Sequence, residues 1–134
     1  MSARQNSTKA QSIMKKSTPN ILNYQRIINA SHYSWQGLQA AWQYEGAFRQ
    51  ELLLSVLLLP FLYFADNVLE VLLLISSLLF LLIVELLNSA VEASIDRHGQ
   101  ERHELSKRAK DLGSAAVSLA FINMVCWWVG LLLW

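Results

Sequence analysis

From Ile21 to Trp42 an apolar residue returns every three or four positions: Ile21, Tyr24, Ile28, Ser31, Trp35, Leu38 and Trp42, with Ser31 the weak member. Asn23, Gln25, Arg26, Asn29, His32, Gln36, Gln39 and Gln43 fill the other faces. That period predicts an amphipathic helix over residues 21–43. Its tryptophans suit a helix lying in a membrane interface, at headgroup level. The pattern then changes. Leu52 to Phe64 is almost unbroken apolar sequence, interrupted only by Ser55 and Pro60. A first membrane span is expected over about residues 45–65, with Pro60 tolerated inside it. Asp66-Asn67 reads as a very short turn. A second span starts near Val68 and stays apolar to Val84, apart from Glu70, Ser76 and Ser77. Its helix is expected to run on to about residue 98, with Gly99 as the stop. A third span follows over about 106–134, free of charge from Leu112 onward. Residues 1–20, rich in Ser, Lys, Gln and Asn, read as a mobile tail. No signal peptide is expected after them, because the next apolar residues are interrupted by polar ones at helical spacing. The pattern predicts an all-α integral membrane protein, with an N-terminal surface helix followed by three transmembrane helices.

Composition agrees. The chain has 134 residues, 54% hydrophobic and 16% charged, which is too apolar for an ordinary soluble domain of this size. A net charge of +1 gives no bulk case for nucleic acid. The single cysteine, Cys126, excludes an internal disulfide; in its apolar run it reads as a membrane-buried thiol. His32, His98 and His103 have no zinc-ligand spacing with it. All 11 Lys and Arg lie at or before Arg49 or between Arg97 and Lys110. The positive-inside rule therefore expects the N-terminus and the second loop in the cytoplasm and the C-terminus outside.

The candidate chemistry lies where the second span loses its apolar character. Glu85, Asn88, Glu92 and Asp96 fall within an arc of about 80° on one helix face. Acids at membrane depth are costly and normally serve a site. Glu45 and Glu51 stand at the same end of span one, and Lys107, Arg108, Lys110, Asp111 and Ser114 at the same end of span three. Acids at one level can hold a hard cation such as Mg²⁺, which prefers oxygen ligands and completes its shell with phosphate and water. Neighbouring cations can neutralise phosphate oxygens. These are the parts of a phosphoryl-transfer site. The same residues also fit interhelical polar contacts beside a solvated basic loop, in a membrane scaffold or ion pathway that is not an enzyme. Gly-rich nucleotide loops are missing from the sequence. Asp111-Leu112-Gly113 lacks the rest of the protein-kinase signature, so it is discounted.

The stretch Glu85-Leu-Leu-Asn-Ser-Ala-Val-Glu-Ala-Ser-Ile-Asp-Arg97, followed by His103-Glu-Leu-Ser-Lys-Arg-Ala-Lys-Asp-Leu-Gly-Ser-Ala-Ala-Val117, resembles the prokaryotic diacylglycerol kinase family. Arg26-Ile-Ile, Tyr33-Ser-Trp-Gln-Gly-Leu-Gln-Ala-Ala-Trp42 and Glu45-Gly-Ala-Phe-Arg-Gln-Glu51 extend the likeness over roughly residues 24–134. The details look closer to the Gram-negative diacylglycerol kinases than to the Gram-positive undecaprenol kinases, which are the nearest alternative. The resemblance implies a homotrimer in the bacterial inner membrane, with active sites shared between neighbouring protomers. It implies Mg²⁺-dependent transfer of the ATP γ-phosphoryl group to the hydroxyl of diacylglycerol, giving phosphatidic acid.

Roles follow by likeness. Glu85 matches a glutamate proposed as general base, and Glu45 and Glu92 match metal-linked glutamates. Arg26, Tyr33, Glu45, Asn88, Glu92, Glu101, Arg102, His103, Lys110 and Asp111 match nucleotide-side positions. Arg26, Ser31, Trp35, Trp42, Glu51, Glu85, Ser114 and Trp128 match positions on the lipid side. Four departures stand out. Asn29, Gln36 and Gln39 replace basic residues of the best-known pattern, and Lys107 replaces a glycine. Asp96 is left without a chemical role, beyond organising the second loop.

Overall fold

The computed structural model describes residues 24–97 and 103–133, with side-chain surroundings through residue 131. The N-terminal tail, Ile21, Asn23, Gly99, Glu101, Arg102 and Trp134 lie outside the described residues. Every described element is helical: α1 (Tyr24–Tyr44), α2 (Gly46–Leu58), a 3₁₀ segment (Leu59–Phe64), α3 (Val68–Asp96) and α4 (Glu104–Leu133). The stretches Gly46–Phe64, Val68–Asp96 and Glu104–Leu131 are each long and apolar enough to cross a membrane.

The chain divides into two units between Gln36 and Gly37, inside α1. In the first, the side chains of Tyr24 to Gln36 are all exposed. The Ser31 hydroxyl donates to the Ile27 carbonyl at 3.0 Å, so a polar residue sits on the apolar stripe with its donor satisfied by the helix itself. Ser34 donates in the same way to Ala30, and Gln25 Nε2 donates to Asn29 Oδ1 at 3.2 Å.

The second unit begins with the last turns of α1. Its end is capped from the next helix: Arg49 Nη1 donates to the carbonyls of Trp42 (2.9 Å) and Gln43 (3.2 Å). Such a cation on terminal carbonyls satisfies groups the helix leaves orphaned. Glu45 then takes an extended conformation (φ −102°, ψ 111°), and its side chain makes no capping bond to α2. Helix α2 gives way to the 3₁₀ segment at Leu59-Pro60. Proline has no N–H for the α-helical ladder, so the tighter turn begins where that bond would be lost. The Asp66-Asn67 turn is built by a reciprocal cap. Asn67 Oδ1 accepts from Glu70 N (3.0 Å), while Glu70 accepts from Asn67 Nδ2 (2.7 Å) and from the Asp66 amide (2.8 Å). This resembles a capping box, with the carboxylate reaching back to the Asn67 side chain and to the amide one residue before the cap. It explains why a lone acid is tolerated at the start of a membrane-length helix.

Helices α3 and α4 form the core as an antiparallel pair. Leu74, Leu78 and Leu81 on α3 face Ala120, Met124 and Trp128 on α4. The recurrence at four and three residues on α3, and at four on α4, puts each set on one stripe. Ser77 completes the packing. Trp128 Nε1 donates to Ser77 Oγ at 3.2 Å, and Ser77 Oγ donates to the Leu74 carbonyl at 2.7 Å. The indole N–H is thus satisfied inside an otherwise apolar seam. Leu54, Leu58 and Leu62 add a partly buried flank from the first span.

Helix α4 starts at Glu104, two residues before the expected 106. His103 accounts for this, because its Nδ1 accepts from the Leu105 amide at 3.2 Å and caps the first turn. Cys126 is exposed on the outer side of α4, so its thiol is no part of the hairpin seam. Leu81 is wholly buried at 0% exposure. Leu81→Ala is expected to cost about 2–4 kcal/mol, read as a lower unfolding midpoint in detergent; an unchanged midpoint would show that the seam does not carry the fold.

Candidate active site

The buried polar end of α3 begins one turn beyond Leu81. Glu85 is 4% exposed, and Ser89 is buried on the same face. The carboxylates of Glu51, Glu92 and Glu45 each lie within electrostatic range of Glu85. Three different elements supply these groups. Glu45 comes from the extended link between α1 and α2, Glu51 from α2, and Glu85 and Glu92 from α3. Like charges gathered in a poorly solvated place repel, so a group this size is costly without a cation or shared protons.

Asn88 ties the cluster together. Its Nδ2 donates to Glu92 Oε1 at 3.0 Å, a bond along one helix face between residues four apart. Its Oδ1 is occluded and accepts no hydrogen bond. The same is true of Glu51 Oε2. Two buried acceptors at one end of the molecule therefore lack donors within the chain, which costs free energy, and of the two the Glu51 oxygen is the one on a carboxylate of the cluster. An oxygen-rich donor set with open acceptors suits a hard divalent cation. Among the described residues no three His, Cys, Asp or Glu converge closely enough to form a closed metal cage. The donor set thus fits an ion that keeps water or phosphate in its shell rather than one held by protein alone.

The cationic side comes from α4. Lys110 Nζ bonds Asp96 Oδ1 at 2.5 Å and lies within electrostatic range of Glu92. This pair gives Asp96 a structural partner, joining the end of α3 to the start of α4 across the second loop. Asp111 points elsewhere, to Lys107 one turn earlier at 3.9 Å, with both side chains largely exposed. The departure at Lys107 therefore supplies a solvated i,i+4 pair, which contributes little to stability.

The structure brings Glu45, Glu51, Glu85, Asn88, Glu92 and Lys110 into one region. Trp128 is not among them. Its bond to Ser77 lies two turns back along α3, about 12 Å from Glu85 at 1.5 Å per residue. Ser114 and Trp42 are exposed, and the carbonyl of Ser114 accepts from the Ser118 hydroxyl. His103 serves as the α4 cap. Arg26, Ser31, Tyr33 and Trp35 belong to the first unit and are exposed there. Glu101 and Arg102 fall outside the described residues.

Sequence reading did not foresee the Asn88–Glu92 bond or the approach of Gly113 to Asn88. The first was detectable from i,i+4 spacing, and the second is a contact between helices, with no signal along the chain. The Lys110–Asp96 pair agrees with the expectation that Asp96 organises the second loop.

Fold and site together define a polytopic helical membrane protein with a buried acidic cluster at one end of its central hairpin. Comparison with known proteins narrows this further. The sequence model for prokaryotic diacylglycerol kinase matches residues 32–132. The chain is 53% identical over 118 residues to the diacylglycerol kinase of Escherichia coli K12, covering 86% of this chain and 94% of that one. It is 50% identical over 109 residues to the diacylglycerol kinase of Pseudomonas aeruginosa, with 81% and 89% covered. Identity to the Helicobacter pylori 26695 protein of that name is 38% over 111 residues, with 82% and 87% covered. The chain belongs to the prokaryotic diacylglycerol kinase family.

The buried orphan acceptor on Glu51, facing the charge of Glu85, generates a test. Glu51→Leu is expected to raise the thermal midpoint in detergent, because it removes an unpaired acceptor and a like-charge neighbour together. A lower midpoint would mean that Glu51 has a stabilising partner within the folded chain.

Proposed function

We propose that this chain is an ATP-dependent lipid kinase that phosphorylates the primary hydroxyl of diacylglycerol, giving phosphatidic acid for phospholipid turnover. The observation that carries the reading is the buried Glu85, set among Glu45, Glu51 and Glu92 at the end of a membrane-length helix. The names of the relatives favour diacylglycerol over undecaprenol as acceptor.

In this reading Glu85 takes the proton of the attacking hydroxyl as its oxygen bonds to the γ-phosphorus, while the bond from that phosphorus to the β,γ-bridging oxygen breaks and ADP leaves. Glu45 and Glu92 would hold Mg²⁺, which when bound neutralises charge on the ATP phosphates. Asn88 orients Glu92 through its amide. Lys110, held near Glu92 by Asp96, is placed to meet phosphate oxygen. Arg26, Tyr33, Glu101, Arg102, His103 and Asp111 are nucleotide-side candidates. Ser31, Trp35, Trp42, Glu51, Ser114 and Trp128 are lipid-side candidates. All of these roles rest on the family likeness.

The working form is a homotrimer in the bacterial inner membrane, with the acidic cluster and N-terminus on the cytoplasmic side and the C-terminus periplasmic. Two features support this. Lys and Arg gather on the chain segments at that level, and large apolar side chains on α2, α3 and α4 remain exposed on the single chain, among them Leu57, Leu72, Ile83 and Ile122. Faces of that kind require lipid or another copy of the chain to cover them.

The decisive experiment follows ATP consumption by purified protein with and without diacylglycerol, and with undecaprenol in its place. Diacylglycerol-dependent turnover is expected; the absence of ATP consumption dependent on either lipid would leave a scaffold or ion pathway standing. Under the same assay Glu85→Gln is expected to lower kcat at least a hundredfold with the fold intact, and near-normal turnover would remove it as the base. Glu92→Gln is expected to raise the Mg²⁺ concentration needed for half-maximal rate, and an unchanged magnesium response would contradict its metal role.

A further inference from the structure

One residue without a side chain governs how closely α3 and α4 approach at the acidic cluster. A Cβ built on Gly113 would overlap Asn88 Oδ1, stand 3.3 Å from Asn88 Cγ and lie 3.9 Å from Asn88 Cα. The last distance shows that α4 passes almost directly over the α3 backbone there. The other described glycines differ. Gly37 and Gly130 have open space at that position, and Gly46 meets only the flexible Arg49 guanidinium at 3.8 Å. Gly113 therefore sits in mid-helix, where glycine is among the least favourable residues, at the one described glycine position where a methyl group has no room. The sequence Asp111-Leu112-Gly113 has a packing reason of its own, unconnected with nucleotide loops.

The consequence falls on Asn88. Its Nδ2 is committed to Glu92 Oε1, and its Oδ1 is occluded against α4 with no donor. With the α4 backbone beneath it, the carboxamide has one end bonded to Glu92 and the other set against α4. We propose that Gly113 is a positioning residue: it seats the Asn88 carboxamide and, through the Asn88–Glu92 bond, orients the Glu92 carboxylate toward Glu85. Its effect on turnover rests on the kinase reading above; the seat itself rests on the geometry alone.

The test is a double-mutant cycle with Gly113→Ala and Asn88→Ala, read first by thermal midpoint in detergent. In the native background the added methyl collides with the carboxamide and lowers the midpoint. In the Asn88→Ala background the same methyl fills vacated space and is neutral or stabilising. An equal loss in both backgrounds overturns the proposal. If Gly113→Ala alone yields no folded protein, a folded double variant supports the seat and an unfolded one overturns it. The kinetic readout separates positioning from mere packing. Gly113→Ala should lower kcat at least tenfold and raise the half-saturating Mg²⁺ concentration severalfold, with KM for diacylglycerol within twofold. Native kcat and native magnesium response in a folded Gly113→Ala protein overturn the proposal. A native protein without lipid-dependent ATP use would defeat the kinase reading, and the thermal cycle, which needs no substrate, tells that failure apart from a failure of the seat.

Discussion

A carboxyl group buried in a helix of membrane length is the constraint on which the other features of this molecule depend. Glu85 sits one turn beyond the fully buried Leu81, so the apolar seam and the acidic cluster are consecutive parts of one helix face. Water is excluded by the first and charge is gathered by the second. Such a junction persists only if the surrounding groups hold the acids in place and something outside the chain offsets their repulsion. The neighbouring structure meets the first condition with short-range devices. Asn88 holds Glu92, Lys110 holds Asp96, and the absence of a side chain at Gly113 lets α4 close over Asn88. The second condition suits a hard cation at the gathered carboxylates, among which Glu51 keeps a buried oxygen without a donor.

The hairpin is therefore stiff where it is dry and incomplete where it is polar. Along α3 the bond from Trp128 to Ser77 locks the register of the two helices in the middle of the seam. At the far end the Asn67–Glu70 cap sets where α3 begins. With start and register both fixed, the rotational setting of Glu85, Asn88 and Glu92 follows, since residues on one helix keep their angular relation over its whole length. Polar contacts distant from the cluster thus decide which way the cluster faces. In a solvent that cannot compete for hydrogen bonds, few such contacts are needed.

Much of the helical order was legible along the chain because a membrane leaves little choice. Long apolar runs must become helices, and Pro60 and Asp66-Asn67 mark where they bend and turn. The first turn of α4 was less legible, because the contact that caps it, from the Leu105 amide to the His103 ring, is a side-chain geometry with no periodic signal. The polar face from Glu85 to Asp96 was legible as a face. Its internal division was only partly so: Asp96 read as an organiser of the second loop, and the fold names Lys110 as its partner. Trp128 shows the limit from the other side, for no pattern along the chain pairs its indole with Ser77, a contact between helices.

Periodicity and composition by themselves determined that this is a helical membrane chain with acids gathered at one level. Both follow from local rules, the turn of a helix and the cost of charge in hydrocarbon. Only the tertiary structure decided which groups touch: that Glu45 and Glu51, from different elements, come within range of Glu85, that Lys110 belongs to Asp96, and that Gly113 lies beneath Asn88. The physical reason is that contact between helices depends on their rotation and register together. Those are set by the packing of the whole seam, and no short stretch of sequence contains them.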